Sequence, residues 1–504
     1  MPMIPFGEYL PDQPDFQNPG SSNILNVVPV TPGSYGPALA LASVTGALSA
    51  RCQGATFARD SGSNVWGFAG DVSKLYKKVA GSTAWVDISK GGGYTVGAEH
   101  RWAFEKFGER ILATQISDPI QSFVMGVDAA FDDLSADAPN AHYIARVRDN
   151  FIMVANTVDG VDGAVPQRVW WPALGDPTTW PTPGTATAAQ LQSDFRDLLG
   201  DGGENQGILG GLSGADVAVF QERAIWRGMY IGPPVVFGFS AVESARGTPA
   251  PGSIVQVGPV AYYLTDDGFY SFDGVQSAPI GHQKIDRMFW GEVDQSYLYR
   301  ISSTVDPLNK LIYWAYPGPQ NNGGTPNRLL AYHYGINQWA KRDKDQIEIM
   351  VSRAALTTGY TLDQLDSFGT LETLPFSLDS RVWTGGRLGL AAFDTSHKMG
   401  FFSGAALAAT LDSSEANLSD KGLTHVSRVW PMVDASAAQV TVGRRNRLAD
   451  PVLWGTTTPI TSTTGSAPLR STGMFHRARV QIPAGAYWTH AQGVQFDGRP
   501  AGRR

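Results

Sequence analysis

The chain has 504 residues, of which 17% are charged, and carries 57 glycines, 32 prolines, 14 tryptophans and 17 tyrosines. Charge well below the usual ~25%, with many turn formers and aromatics, points to an all-β protein of many short strands. The net charge of −7 argues against a protein that grips nucleic-acid phosphates, and a single cysteine, Cys52, excludes a disulfide framework or a cysteine-rich metal site.

The opening segment, MPMIPFGEYLPDQPDF, has no basic start and no apolar run, so no signal peptide is expected. The longest apolar stretches fall far short of the ~20 residues that a membrane helix needs, so no membrane span is expected. Residues 1–50 read as an extended arm, rich in Pro and Gly, with too few periodic apolar positions for a core of its own. Its anchors are Ile24, Val27, Val28 and Val30.

From residue 51 to about 400 one theme recurs. Short aromatic or β-branched runs, such as VWGFAG, RILATQI, FIMVANT, VAVFQE and KLIYWAY, are separated by Gly, Asp and Asn. They return every ~40–60 residues, the period of four-stranded propeller blades. The segment TATAAQLQSDFRDLLGD (185–201) places Leu191, Phe195, Leu198 and Leu199 on one helical face, which predicts an inserted helix near 185–200. A second helix candidate, TLDQLDSFGTLETL (361–374), reads equally as a loop. Past residue 400 the strands lengthen and alternate apolar with polar, as in an antiparallel β domain spanning 401–504. The expected fold is therefore a β-propeller of short-stranded blades (51–400) between an N-terminal arm (1–50) and a C-terminal β domain.

Chemistry-bearing patterns are few. Asp266 and Asp267 sit in YYLTDDGFYSF, where Asp supports a tight turn and Gly supplies positive φ, so a hairpin is preferred to an acid/base pair. VDGVDG (158–163) lacks the ligand spacing of a calcium loop and reads as another hairpin. GILGGLSG (207–214) lacks the Lys-Ser/Thr and the strand-to-helix context of a phosphate cradle. The eight histidines show no metal spacing, and no GxSxG elbow exists. A pair of carboxylates on distant loops is compatible with the sequence. Tryptophan-rich VWWPALGDPTTWP and YHYGINQW are read as blade core before carbohydrate platforms. Late arginines, Arg444, Arg445, Arg447, Arg477, Arg479, Arg499, Arg503 and Arg504, bias the C-terminal part positive, either for docking on an acidic partner or as a solvated strand face. No catalytic, cofactor-binding or metal-binding residue is assigned, and no enzyme activity is expected.

The run GDGGENQGILGGLSGADVAVFQERAIWRGMYIGPPVVFGFSAVESARGTPAPGSIVQVGPVAYYLTDDGFYSFDGVQSAPIGHQKIDRMF resembles the tail hub, or nozzle, proteins of short-tailed bacteriophages, also called packaged-DNA stabilisation proteins. The Pro-rich start and the Arg-x-Arg near the end are similar too. This resemblance implies a structural virion protein: a β-propeller assembling as a ring, with a homohexamer expected, below the portal and adaptor proteins. The ring would extend the DNA channel, retain the packaged genome and anchor tail fibres, spikes or a needle. Double-stranded DNA would pass the lumen without specific binding. The implied location is the tail at a single virion vertex, after synthesis in the bacterial host cytoplasm. No cofactor is implied. The arm and the late arginines are the expected partner contacts. The competing reading is a β-propeller that binds or degrades polysaccharide.

Overall fold

In a computed structural model the structure describes residues 3–16, 18–79, 82–343, 345–354, 369–373, 389–419 and 422–502. Among them, seven four-stranded antiparallel meanders succeed one another around a ring, as the recurrence of short runs predicts. The first strand of each is innermost. These inner strands are Gly54–Arg59, Ala103–Phe107, Asn140–Val147, Asn205–Leu212, Val255–Val257, Ser302–Asp306 and Ile347–Ala354, opening blades 1 to 7. Adjacent inner strands pack on one another at the seams other than that between blades 4 and 5, including the last against the first. Between blades 4 and 5 the seam is closed by Ser213 N–H donating to Pro259 O (3.0 Å) and Gly214 N–H to Asp273 O (2.9 Å), with Phe220 and Tyr263 rings 5.2 Å apart behind them.

Blades pack face to face, so their second strands are buried on both sides and read as continuous apolar runs rather than alternating ones. In Leu311–Tyr316 every residue is buried. Apolar clusters fill the seams: Phe68, Ile111 and Phe123 between blades 1 and 2, Val147, Trp171, Val219 and Phe237 between blades 3 and 4.

The chain ends do not form separate layers. The strand Leu39–Ala47 is the outer strand of blade 7, paired antiparallel with Lys398–Ala406. Residues upstream of it join the C-terminal part: Met3–Pro5 pairs with Ala491–Pro500, and Ile24–Leu25 lies between the outer strand of blade 6 and Ala409–Asp412. The C-terminal part is two such sheets, packed over Val426, Val440, Val480, Val494 and Phe496. Of the four anchors, Ile24 and Val27 are buried, Val28 is half-buried and Val30 is exposed. The arm thus spends its apolar residues on its own chain.

The helix expected near 185–200 is shorter. Only Ala186–Leu191 is helical, opened by Thr185 Oγ1 accepting from Ala188 N–H and closed by Gln192 in the left-handed region. Asp194–Asp197 is instead the outer strand of blade 3, with Phe195 opposite Trp170. The blade lacks a fourth strand without it, and that tertiary demand overrides the helical spacing. Of the second helix candidate, Leu371–Thr373 forms a short 3-10 turn, and residues 361–368 and 374 lie outside the described residues.

The VDGVDG hairpin has its own cation. Arg168, nearly fully buried, donates from Nη1 to Asp162 (2.7 Å) and Asp159 (3.1 Å), and from Nε and Nη2 to both oxygens of Asp197 (2.7 and 3.0 Å). Its guanidinium also lies 3.8 Å from the Phe195 ring centroid. The fork matches carboxylate geometry in a way that lysine cannot. Removing the cation would leave buried Asp159 uncompensated. Arg168→Met is expected to cost about 3–5 kcal/mol in urea unfolding, and Arg168→Lys to recover only part of it; a loss under about 1 kcal/mol would mean that the network is energetically neutral.

Candidate functional site

The DDG segment is a hairpin. Thr265 faces Gly268 across it, Asp266 is exposed at the tip, and Gly268 takes φ +140°, which side chains rarely adopt. Asp267 accepts from Thr265 Oγ1 and from Tyr270 OH. The sequence does not show what folds in behind. Asp286, at the start of the short helix Asp286–Glu292, accepts from Phe269 N–H (3.1 Å). A Cβ on either Gly268 or Gly281 would meet its carboxyl group at 2.2 and 2.0 Å. Asp12 from the arm accepts from Arg287 and Met288 N–H (both 2.8 Å) at the same helix end. Burial, and then the Asp12 and Asp267 charges, pushes Asp286 up to about 7. The three carboxylates serve a turn, a helix end and a tight backbone crossing. Spacing along the chain could not reveal this, since Asp12 and Asp286 are far apart in sequence.

The aromatic segments weighed as carbohydrate platforms are core. Trp171 and Trp339 are among the largest fully buried side chains, and Trp170 and Trp180 are buried as well. Cys52 is buried, donates to Gly54 O and is held up by burial well above the usual thiol range, so it is no nucleophile. Among the described residues, no group of three or more His, Cys, Asp or Glu could hold a metal ion, and no helix is long and apolar enough to cross a membrane.

The late arginines fall into two sets. Arg445 pairs with buried Glu415, Arg479 with buried Asp412 (2.7 Å), and Arg477 with Asp15 of the arm (3.0 Å). These three hold the C-terminal sheets and the arm together and are not free for a partner. Arg444 donates to Thr472 O (2.7 Å). Arg470 and Arg499, in contrast, line an open polar cleft of about 890 Å³ with His425, Ser427 and Asp497. The cleft lies on the face of three adjacent strands, Ala467–Gly473, Thr424–Val433 and Ala491–Pro500. His425 is oriented by Thr472 Oγ1 (2.8 Å), and both arginines are exposed. Arg503 and Arg504 lie outside the described residues. The charge is divided accordingly: residues 409–504 hold eleven Lys and Arg against six Asp and Glu, a net +5, while residues 1–408 carry −12.

No family model matches the chain, and no curated protein does. Among solved structures, the computationally designed Ika8 protein is similar over 72% of this chain and 99% of its own, at 8% identity and a TM-score of 0.36.

Asp286 gives a pH signature. Its folded value lies above the ~3.9 of an unfolded aspartate, so between about pH 4 and 7 the native state keeps a proton that the unfolded chain has lost. Stability therefore falls as pH rises through that window. Asp286→Asn keeps the acceptor for Phe269 N–H without the charge. It is expected to be more stable than the wild type at pH 8, on the order of 2 kcal/mol, with the gain vanishing near pH 4. Thermal unfolding across pH checks this; a difference that does not change with pH would exclude the assignment.

Proposed function

We propose that the chain is a tail nozzle or hub subunit of a short-tailed bacteriophage, a structural protein whose propeller bodies join in a ring around a DNA lumen. The observation that carries this reading is the division of charge: a strongly acidic body beside a basic C-terminal sheet face whose Arg470 and Arg499 have no partner among the described residues. Opposite charges on different faces of one subunit suit a head-to-tail contact, and a head-to-tail contact that closes makes a ring. An acidic complement is present on the outer edge of blade 2, where Asp132 and Asp137 are exposed. An acidic ring interior would also repel DNA phosphates and let the duplex slide. The sequence resemblance to nozzle proteins supplies the specific identity, including the homohexamer, the portal-adaptor above and the fibres or spikes attached.

The polysaccharide reading loses its tryptophan platforms to the core. The ring is tested directly by light scattering and negative-stain microscopy of the purified full chain. A closed oligomer, six subunits by mass, is expected at low salt, dispersing above about 0.5 M salt as screening shortens. The double substitution Arg470→Glu with Arg499→Glu is expected to yield monomer with unchanged thermal unfolding. A wild type that stays monomeric at every concentration, or rings that survive the double reversal, would refute the proposed contact. Immunogold labelling confined to one vertex of a virion tests the location.

A further inference from the structure

The starts of the inner strands meet at one end of the propeller axis. Cys52 N–H of blade 1 donates to Glu348 of blade 7 (3.0 Å), and the His100 and His142 rings of blades 2 and 3 lie 4.7 Å apart. Arg101, two residues before the inner strand of blade 2, reaches across to blade 6. Its Nη2 donates to Tyr299 O (2.9 Å) and Ile301 O (2.6 Å). Blade 5 makes room for it: a Cβ on Gly252 would sit 2.3 Å from Arg101 Nη1.

Two further arginines close on the same point. Arg51 precedes the inner strand of blade 1 and donates to Ala98 O (2.8 Å). Arg300 precedes that of blade 6; its buried Nε has no hydrogen-bond partner among the described residues, and neither has His100 Nδ1. None of the three guanidinium groups forms an ion pair among those residues, whereas Arg168, Arg342, Arg445, Arg477 and Arg479 all do. The carboxylate that acts on Arg51, Glu348, is engaged by His397 Nδ1 (2.6 Å) and by Cys52 N–H. Three like charges therefore crowd one mouth. Burial, then the Arg300 charge, pushes Arg51 down to about 10; burial, then Arg51, brings Arg101 to about 10, with Arg300 adding to it. The two carbonyl groups of blade 6 account for Arg101, but no carboxylate among the described residues is ion-paired with Arg51 or Arg300 beside it, and apolar residues at those two positions would avoid the electrostatic cost. All three residues are half-buried.

We propose that Arg51, Arg101 and Arg300 form a binding site for a small oxyanion group, a phosphate, sulfate or carboxylate, at this mouth of the propeller axis. Three forked donors of fixed geometry around a partly dehydrated point are the arrangement that recognises such a group. The neighbouring His142 adds an N–H donor rather than charge, since burial, then His100, holds it near 4 and hence neutral. The site does not depend on the nozzle reading.

The test is isothermal titration of the full chain with inorganic phosphate, sulfate and glucuronate, each against chloride at equal ionic strength. At least one is expected to bind one to one, with a dissociation constant below about 1 mM. Arg300→Gln and Arg51→Gln are each expected to weaken it about tenfold or more. Preference for phosphate would indicate a phosphorylated ligand, and preference for glucuronate an acidic saccharide. Lys310→Gln, exposed at the turn between the first and second strands of blade 6 and so at the opposite end of the axis, is expected to leave binding unchanged. Should either glutamine variant fail to fold, Arg300→Lys keeps the charge and the stem but loses the fork, and weaker binding is again expected. Absence of heat with all three anions up to about 10 mM, or equal affinity in wild type and the folded variants, would overturn the site.

Discussion

The ring depends on one strand pairing. Leu39–Ala47 completes blade 7 by bonding to Lys398–Ala406, at the far end of the propeller sequence. Until these segments meet, blades 1 and 7 have no reason to touch, and the apolar cluster of Leu48, Phe57, Ile349 and Phe393 stays open. Closing so long a loop costs only slowly growing entropy, but the pairing is non-local and therefore late and slow. The same N-terminal run is pinned on both sides. Arg342, buried in blade 6 with Asp345, donates to Leu39 O (2.8 Å), and the residues before Leu39 extend the C-terminal sheets. The two chain ends are thereby built into one another, and the propeller and the C-terminal layer stand or fall together.

Arginine is used in two opposed ways. Between strands it is neutralised: Arg168 by three aspartates, Arg342 by Asp345, Arg445 by Glu415, Arg479 by Asp412. Such buried pairs add little net stability over well-packed apolar groups, yet losing one partner is costly. They fix which strand lies beside which. At the axis mouth and on the C-terminal sheet face the guanidinium groups have no such carboxylate. The contrast within a single chain, rather than the mere presence of arginine, is what separates positions that hold the fold from positions available to a ligand or a neighbouring subunit.

Much of this was legible where the deciding chemistry is local. Asp-Gly turns mark the hairpins at 158–163 and 265–268, and the doubly buried second strands appear as unbroken apolar runs. The helix near 185–200 was over-extended because Phe195 and Leu198 fit both a helical face and an edge strand; which one wins is decided by Trp170 across the ladder, not by their own neighbours. The number of blades was hidden because blade 7 is assembled from both ends of the chain. The arginine cluster was hidden because its members sit 50 and 199 residues apart. A signal did exist. Arg51, Arg101 and Arg300 each stand two or three residues ahead of an inner strand, a register visible once the blades are aligned on their first strands.

The bridging Arg101 also constrains any conduit role. A side chain from blade 2 hydrogen-bonded to the backbone of blade 6 spans the propeller axis, so the axis of a single subunit is no passage for a duplex. DNA in the proposed assembly must run between subunits, through the lumen that the ring encloses. In that proposed assembly the two positive regions would have separate tasks: the open face with Arg470 and Arg499 would meet the acidic body of the next subunit, and the arginines at the axis mouth would stay away from the lumen. A lumen wall drawn from the acidic body would be free of strong phosphate anchors. Positive charge placed there would retard the duplex by releasing its counterions at every step, whereas positive charge kept at subunit contacts and inside the propeller leaves passage unhindered.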